Sequence, residues 1–394
     1  MKTGKKNLFI ILISYLSFIS LGLPDGLLGV SWPYISARHQ VSLDSLGILL
    51  ISFVAGYLLT STTSGKLLTK ISLGLLLTLS CCVTGVSLLA FAFSDYWFLI
   101  IVASFFLGSG GGAIDTSINT FASSRFSASV INWLHAFYGI GATSGPFIIT
   151  WMLVMDNGWY NGYIVVAIVQ LTLSLIFIMT LKFWKVTSDS QEPTQLTGSF
   201  AESIRLPFVW ITIFIFFLYS GLEIGVGQWL FTILTESRNI AAAQAGLWTS
   251  AYWGSLTLGR IIFGFILTRL PVHGVIIGAL IGVVTGSFLL LLNAGNHISL
   301  TAIILIGFSN APVFPCLISV TPKRVGLKHT ANIIGFQISA AMVGGALLPA
   351  LAGLLTDYFG WEVIPITYFI EAVFLLLLYL LSSSKYRKVE ISAM

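Results

Sequence analysis

Four carboxylates stand inside otherwise apolar runs of this 394-residue chain: Asp25, Asp115, Glu223 and Glu371. An acid at the centre of a membrane helix costs about 2.5–3.5 kcal/mol on insertion scales, so such residues usually face a protein interior and serve a function there. Burial in a low dielectric favours the protonated carboxyl. An acid that loses and regains its proton as access alternates can couple proton flow to the movement of something else. Asp115 lies in GGAIDTSINTF with Asn119 four residues on, so the two share a helix face. Asp25, in LGLPDG, suits either proton coupling or the freed amides of a helix break. Glu223, in YSGLEIGVGQWL, is expected to be a ligand or coupling residue, with a helix–helix clamp as the alternative. Glu371, in the last apolar run, is expected to be structural.

Amides and indoles accompany the acids. NWLHAFYGIG supplies Asn132, Trp133 and His135, and Gln228 and Trp229 follow Glu223. Asn310 lies in GFSNAPVFP, and Asn332 and Gln337 in NIIGFQ. Amides pair with hydroxyls, and an indole packs on the C–H face of a sugar. A few such groups set in apolar walls suit a polyhydroxylated ligand. Each has a structural alternative: asparagines glue membrane helices, Trp229 also suits an interfacial anchor, and His135 is either a proton relay or a satisfied histidine. Arg260 is expected to snorkel or lock a gate. The GSGGG run at 108–112 lacks the Lys-Ser/Thr of a phosphate loop and is expected to pack helices closely. Cys81, Cys82 and Cys316 show no ligand spacing and read as core residues. No cofactor, metal site or enzymatic nucleophile–base motif is expected.

The elements that carry these residues follow from composition. The chain is 56% hydrophobic and 8% charged, against roughly 25% charged residues in soluble domains. It is expected to be an all-α integral membrane protein, with spans at 8–31, 44–64, 72–93, 97–122, 131–154, 160–181, 207–233, 244–264, 273–293, 298–320, 330–354 and 361–382. Barrel strands would be alternating segments of about 10 residues instead. The first run is too long for a signal peptide and shows no clear cleavage site. With both termini in the cytoplasm, sixteen of the 19 Lys and Arg residues fall on that side, the asymmetry expected of a plasma-membrane protein. The basic excess then faces lipid, and no nucleic-acid partner is needed. KVTSDSQEPTQLTGSFAESIR reads as a linker, giving an N-terminal bundle over 1–182, a cytoplasmic linker over 183–206 and a C-terminal bundle over 207–394.

The two halves align at a constant offset. LGLPDG meets SGLEIG, GKLLTK meets GFILTR, Gly108 falls on Gly307, and Arg125 on Arg324. Two parallel six-helix repeats imply alternating access around a midplane site. Over its whole length the chain resembles a major facilitator superfamily transporter, which implies twelve transmembrane helices in two pseudo-symmetric bundles. GKLLTK and GFILTR resemble that superfamily's cytoplasmic loop motif, with Thr69 and Thr268 where an acid is usual.

GSGGGAIDTSINTF, NWLHAFYGIGATSGP, YSGLEIGVGQWL, WGSLTLGRIIFG and APVFP resemble the fucose–galactose–glucose:proton symporter family. The resemblance implies uptake of a hexose or deoxyhexose with a proton. Asp115 matches the family's span-4 coupling acid, and Asp25 a span-1 acid found in some members. Sodium stays open as an alternative coupling ion, and a monomer is expected because each chain holds both halves. The alternatives are a proton-driven exporter, since GATSGP resembles the core of the antiporter motif, and a sensor that binds without flux.

Overall fold

The computed structural model describes the backbone of residues 2–123, 126, 128–184 and 199–392, and their side chains apart from 2–7, 120, 123, 128–129, 131–132, 207, 327, 331 and 384–392. Helices account for nearly all of it. In chain order they are α1 (Lys2–His39), α2 (Leu46–Leu68), α3 (Leu73–Phe93), α4 (Trp97–Ser123), α5 (Ala128–Val154), α6 (Tyr160–Thr180) and the short α7 (Phe200–Ile204). There follow α8 (Pro207–Thr232), α9 (Ala242–Ile266), α10 (Val272–Leu292), α11 (Asn296–Asn310), α12 (Val313–Val325), α13 (Leu327–Phe359) and α14 (Val363–Ser392). In hydrocarbon every backbone N–H and C=O must be satisfied within the protein, and a helix does this inside one segment.

Among the described residues, eleven stretches are long and apolar enough to cross a membrane, with α11 and α12 forming one of them. α9 falls below that apolarity because it carries Thr249, Ser250, Ser255, Thr257 and Arg260, yet its 25 residues supply the twelfth span.

Several expected boundaries are corrected. α1 does not stop at 31 but runs through Pro33 to His39. The polar residues there find partners within the protein: Ser31 donates to Leu27 O at 2.8 Å, Trp32 Nε1 to Leu43 O at 2.8 Å, and Arg38 Nη2 to Asp95 Oδ1 at 2.8 Å. The tenth span is not one helix, since Ala311 and Pro312 interrupt it and proline offers no N–H to continue the ladder. The last two spans also run longer than expected, to Phe359 and Ser392. Part of the expected linker is helical, with α7 capped by Ser199, whose hydroxyl accepts from Glu202 N. Residues 185–198 of that linker lie outside the described residues.

Two compact units are present, Met1–Ser190 with Leu230–Gly254, and Gln191–Trp229 with Ser255–Met394. In the first, Ile114, Phe121, Phe177 and Trp184 belong to one buried cluster. In the second, Tyr219, Ile276, Leu375 and Tyr379 do the same.

Glycines set the tightest helix contacts. Gly22 and Gly26 of α1 lie against the backbone of Tyr138 and Ala142 on α5, while Gly141 and Gly145 of α5 lie against Ile19 and Leu23. This pair of small-xxx-small stripes lets two backbones meet where any side chain would hold them apart. The same device joins α2 to α4, with Gly108 and Gly112 on Phe53 and Tyr57, and Gly56 on Phe105. The GSGGG run therefore packs helices, as expected. In the repeat, Gly221 and Gly225 of α8 meet Leu348 and Pro349 of α13, the counterparts of the α1–α5 contact.

Candidate functional site

The polar centre of the first unit follows from these glycine contacts. Gly112 sits against the backbone of Tyr57, and Asp115 follows three residues later on the same helix. The Tyr57 hydroxyl donates to Asp115 Oδ2 at 2.5 Å. Asn119, one turn further along α4, donates from Nδ2 to Asp115 Oδ1 at 2.8 Å. Both carboxylate oxygens are thus acceptors, an arrangement suited to the ionised form. The contact of Gly22 with Tyr138 has an equivalent result: the Tyr138 hydroxyl donates to Asp25 Oδ2 at 2.5 Å. Each of the two acids is thus held by a tyrosine of a neighbouring helix. The His135 ring meets Phe18 edge-on at 5.6 Å.

Asp25, Asp115, Asn119 and His135 therefore gather in one unit, with the tyrosines as partners that the sequence reading missed. The available signal was the glycine spacing, which places Tyr57 and Tyr138 at close helix crossings. Trp133 is 50% exposed and its ring lies 6.4 Å from Phe137. Asn132 belongs to α5, but its side chain lies outside the described residues.

In the second unit Glu223 is buried, and Arg260 Nη2 of α9 bonds its Oε1 at 3.2 Å. Arg260 was expected to snorkel or to lock a gate; in the structure it is the partner of an acid one helix away. Gln228 is buried further along α8. Trp229 is fully buried, and its Nε1 donates to Pro349 O at 2.9 Å. With Trp361 at 6.0 Å, Trp229 ties α8 to the chain around it, and no face of its ring is open to a ligand in this conformation.

The remaining amides are spread out. Asn310 is fully buried at the break between α11 and α12, where its carbonyl accepts from the Tyr219 hydroxyl at 3.1 Å. Its side-chain amide meets no partner among the described residues. Gln337 accepts from Thr321 Oγ1 at 3.2 Å. Asn332 Nδ2 donates to Ser203 Oγ of α7 at 3.0 Å, so it anchors the linker helix to α13. Glu371 Oε2 is buried without a partner among the described residues.

Acids set inside membrane helices, tyrosines that hold them, and a twelve-span repeat are features of a carrier. A family model described as the Major Facilitator Superfamily matches residues 12–347 and 230–392. The chain belongs to the major facilitator superfamily. This major facilitator chain is an integral membrane transporter and not an enzyme. It is 25% identical over 359 residues to the glucose/mannose transporter GlcP of Bacillus subtilis (strain 168), covering 87% of this chain and 86% of the relative. A solved structure of the nucleoside transporter NupG superposes with a TM-score of 0.79 at 15% identity, covering 94% of this chain and 98% of that one. The E. coli fucose:proton symporter FucP superposes with a TM-score of 0.65 at 17% identity, covering 95% of this chain and 98% of that one. At these identities the two structures establish the major facilitator fold alone.

Proposed function

We propose that this major facilitator transporter takes up a hexose or deoxyhexose together with a proton, by alternating access. In this reading it acts as a monomer in the plasma membrane, with both termini in the cytoplasm. The observation that carries the proposal is Asp115, an acid inside α4 whose two oxygens are held by Tyr57 and Asn119. A carboxyl with defined partners on both oxygens has a defined place for a proton to arrive and leave. The similarity to a glucose/mannose transporter supports the sugar class.

Asp115 takes the proton from one side, the sugar binds, and both leave on the other side before the empty carrier returns. Asn119 changes partner as Asp115 changes charge, which links proton state to the ligand's surroundings.

The test is uptake of labelled glucose, galactose, mannose and fucose into proteoliposomes, with and without an inward proton gradient, for wild type and Asp115→Asn. The expected outcome is gradient-driven accumulation of at least one sugar by wild type, reduced in Asp115→Asn to downhill exchange. Accumulation that ignores the proton gradient but follows sodium would replace the coupling ion. No flux of any of these sugars would sink the sugar reading.

A further inference from the structure

The end of α1 and the chain that follows α8 line a cavity of about 340 Å³, and every residue that lines it belongs to the first compact unit. That volume lies at the small end of the roughly 300–1,000 Å³ range of ligand sites. None of the acids, amides or indoles described above lines it.

Local backbone geometry builds its polar wall. After Thr232 the chain widens into a π-helical turn over Ile233–Ser237, where Arg238 N donates to Ile233 O, five residues back, at 3.2 Å. In an α-helix a residue shares a face with the one four positions on, and a π turn brings the fifth alongside as well. Thr235 and Glu236, four and five residues after Phe231, both line the cavity with it. Thr235 donates its hydroxyl hydrogen to Phe231 O at 3.0 Å, which leaves the hydroxyl oxygen as an acceptor. Glu236 is exposed, and its carboxylate is an acceptor on both oxygens.

The other walls are apolar. The Tyr34 ring is half-buried and meets the Phe231 ring at 6.3 Å between centroids. Phe231 is 1% exposed, so it backs the cavity and leaves Tyr34 as the ring that a ligand can cover. Asn239 takes a left-handed conformation, φ 52°, which asparagine tolerates. The chain turns there, and Ile240 and Ala242 close a further wall.

A pyranose is divided in the same way, with an apolar C–H face and an edge of hydroxyl hydrogens. Its C–H face suits the Tyr34 ring, and two adjacent hydroxyls suit the two oxygens of a carboxylate. We infer that this cavity is a second sugar site, where a monosaccharide lies with its C–H face on Tyr34 and two hydroxyls on Glu236 before it moves to the site that Asp115 serves. The inference rests on the sugar-uptake reading above. With both termini in the cytoplasm, this end of α1 faces outside, the side from which the sugar arrives. Capture there raises the occupancy of the carrier at low sugar concentration and takes no part in proton coupling.

The experiment places a cysteine at Ala242 and follows its reaction with a membrane-impermeant maleimide in proteoliposomes, counted against the same chain without the added cysteine. Glucose, galactose, mannose and fucose are the probes. At least one sugar that wild type accumulates should slow the labelling of Ala242→Cys. Adding Glu236→Gln should raise the sugar concentration needed for that protection about tenfold, the size of one hydrogen bond to a charged group. Tyr34→Ala should abolish the protection, and Tyr34→Phe should restore it, because the ring face and not the hydroxyl carries the contact. As a second measurement without the added cysteine, Glu236→Gln should raise the half-saturating sugar concentration for uptake by a similar factor.

Labelling that the transported sugar does not slow would overturn the inference. So would protection at the same sugar concentration in Glu236→Gln, because it would then report a conformational change and not occupancy of the cavity. Protection by tetramethylammonium and by no sugar would overturn it in favour of a cation site. Wild type that accumulates none of these sugars would overturn the sugar reading itself, and this inference with it.

Discussion

Tyr57 on α2 gives its hydroxyl hydrogen to Asp115 Oδ2 on α4 at 2.5 Å, across a crossing where Gly112 rests against the backbone of Tyr57 itself. The glycine fixes the approach of the helices, and that approach fixes the reach of the ring. A tyrosine hydroxyl can donate or accept. When Asp115 takes a proton on Oδ2, this bond can reverse direction, whereas Asn119 must turn its amide to do so.

Tyr57→Phe should therefore keep the ring in place and remove a donor from the ionised Asp115. A hydrogen bond to a charged group contributes about 1.5–3 kcal/mol, equal to roughly one to two pH units. Losing it favours the protonated acid, so the alkaline limit of proton-driven uptake should move up by that amount. A pH profile that matches wild type would show that Tyr57 does not control the Asp115 proton.

The Glu223–Arg260 pair has side chains 10% and 23% exposed. Removing one partner takes a charge-assisted bond from the other in a poorly solvated place. Arg260→Leu should destabilise the protein by about 3 kcal/mol, at the low end of the range for buried pairs because Arg260 keeps some solvent. Glu223→Gln combined with Arg260→Leu should recover most of that loss. Thermal unfolding of the purified singles and the double variant in detergent measures the coupling, and strictly additive effects would mean the two do not act as a pair.

Gly141 of α5 touches the backbone of Ile19, whereas Gly65 of α2 has nothing within 4 Å of an added Cβ. Gly141→Val should cost about 1–3 kcal/mol through overpacking and should separate Tyr138 from Asp25, lowering both melting temperature and coupled uptake. Gly65→Ala should be neutral to mildly stabilising. Equal melting temperatures for the two variants would contradict the close α1–α5 approach.

Lys328 Nζ lies 3.1 Å from Glu202, and this partner holds the Glu202 carboxyl below the usual glutamate range. Because the docked value is lowered, the contribution of the pair is present above the ordinary glutamate pKa and fades as pH falls through the lowered value. Proteolysis within the linker should accelerate over that acid window in wild type. In Lys328→Met the linker should already be cleaved at the faster rate at neutral pH, and an unchanged rate would mean that the pair does not hold α7 on α13.

Much of this protein was legible in the chain itself. A bilayer admits only segments that satisfy their own backbone, so long apolar runs had to be helices. The glycine offset between halves exposed the repeat, and acids in those runs marked where charge had to be managed. Pairing was not legible, because a hydrogen bond between helices depends on crossing distance and rotation, which are set by packing over the whole bundle. That is why Trp229, an indole beside an acid and a glutamine in sequence, proves to be tied to the Pro349 carbonyl, and why Asn332 holds Ser203 of the linker. It is also why Tyr57 and Tyr138, ordinary residues in apolar helices, stand at the acids. Local composition determined which residues must be sheltered from lipid, and the close meeting of four glycine-lined backbones decided which neighbours shelter them.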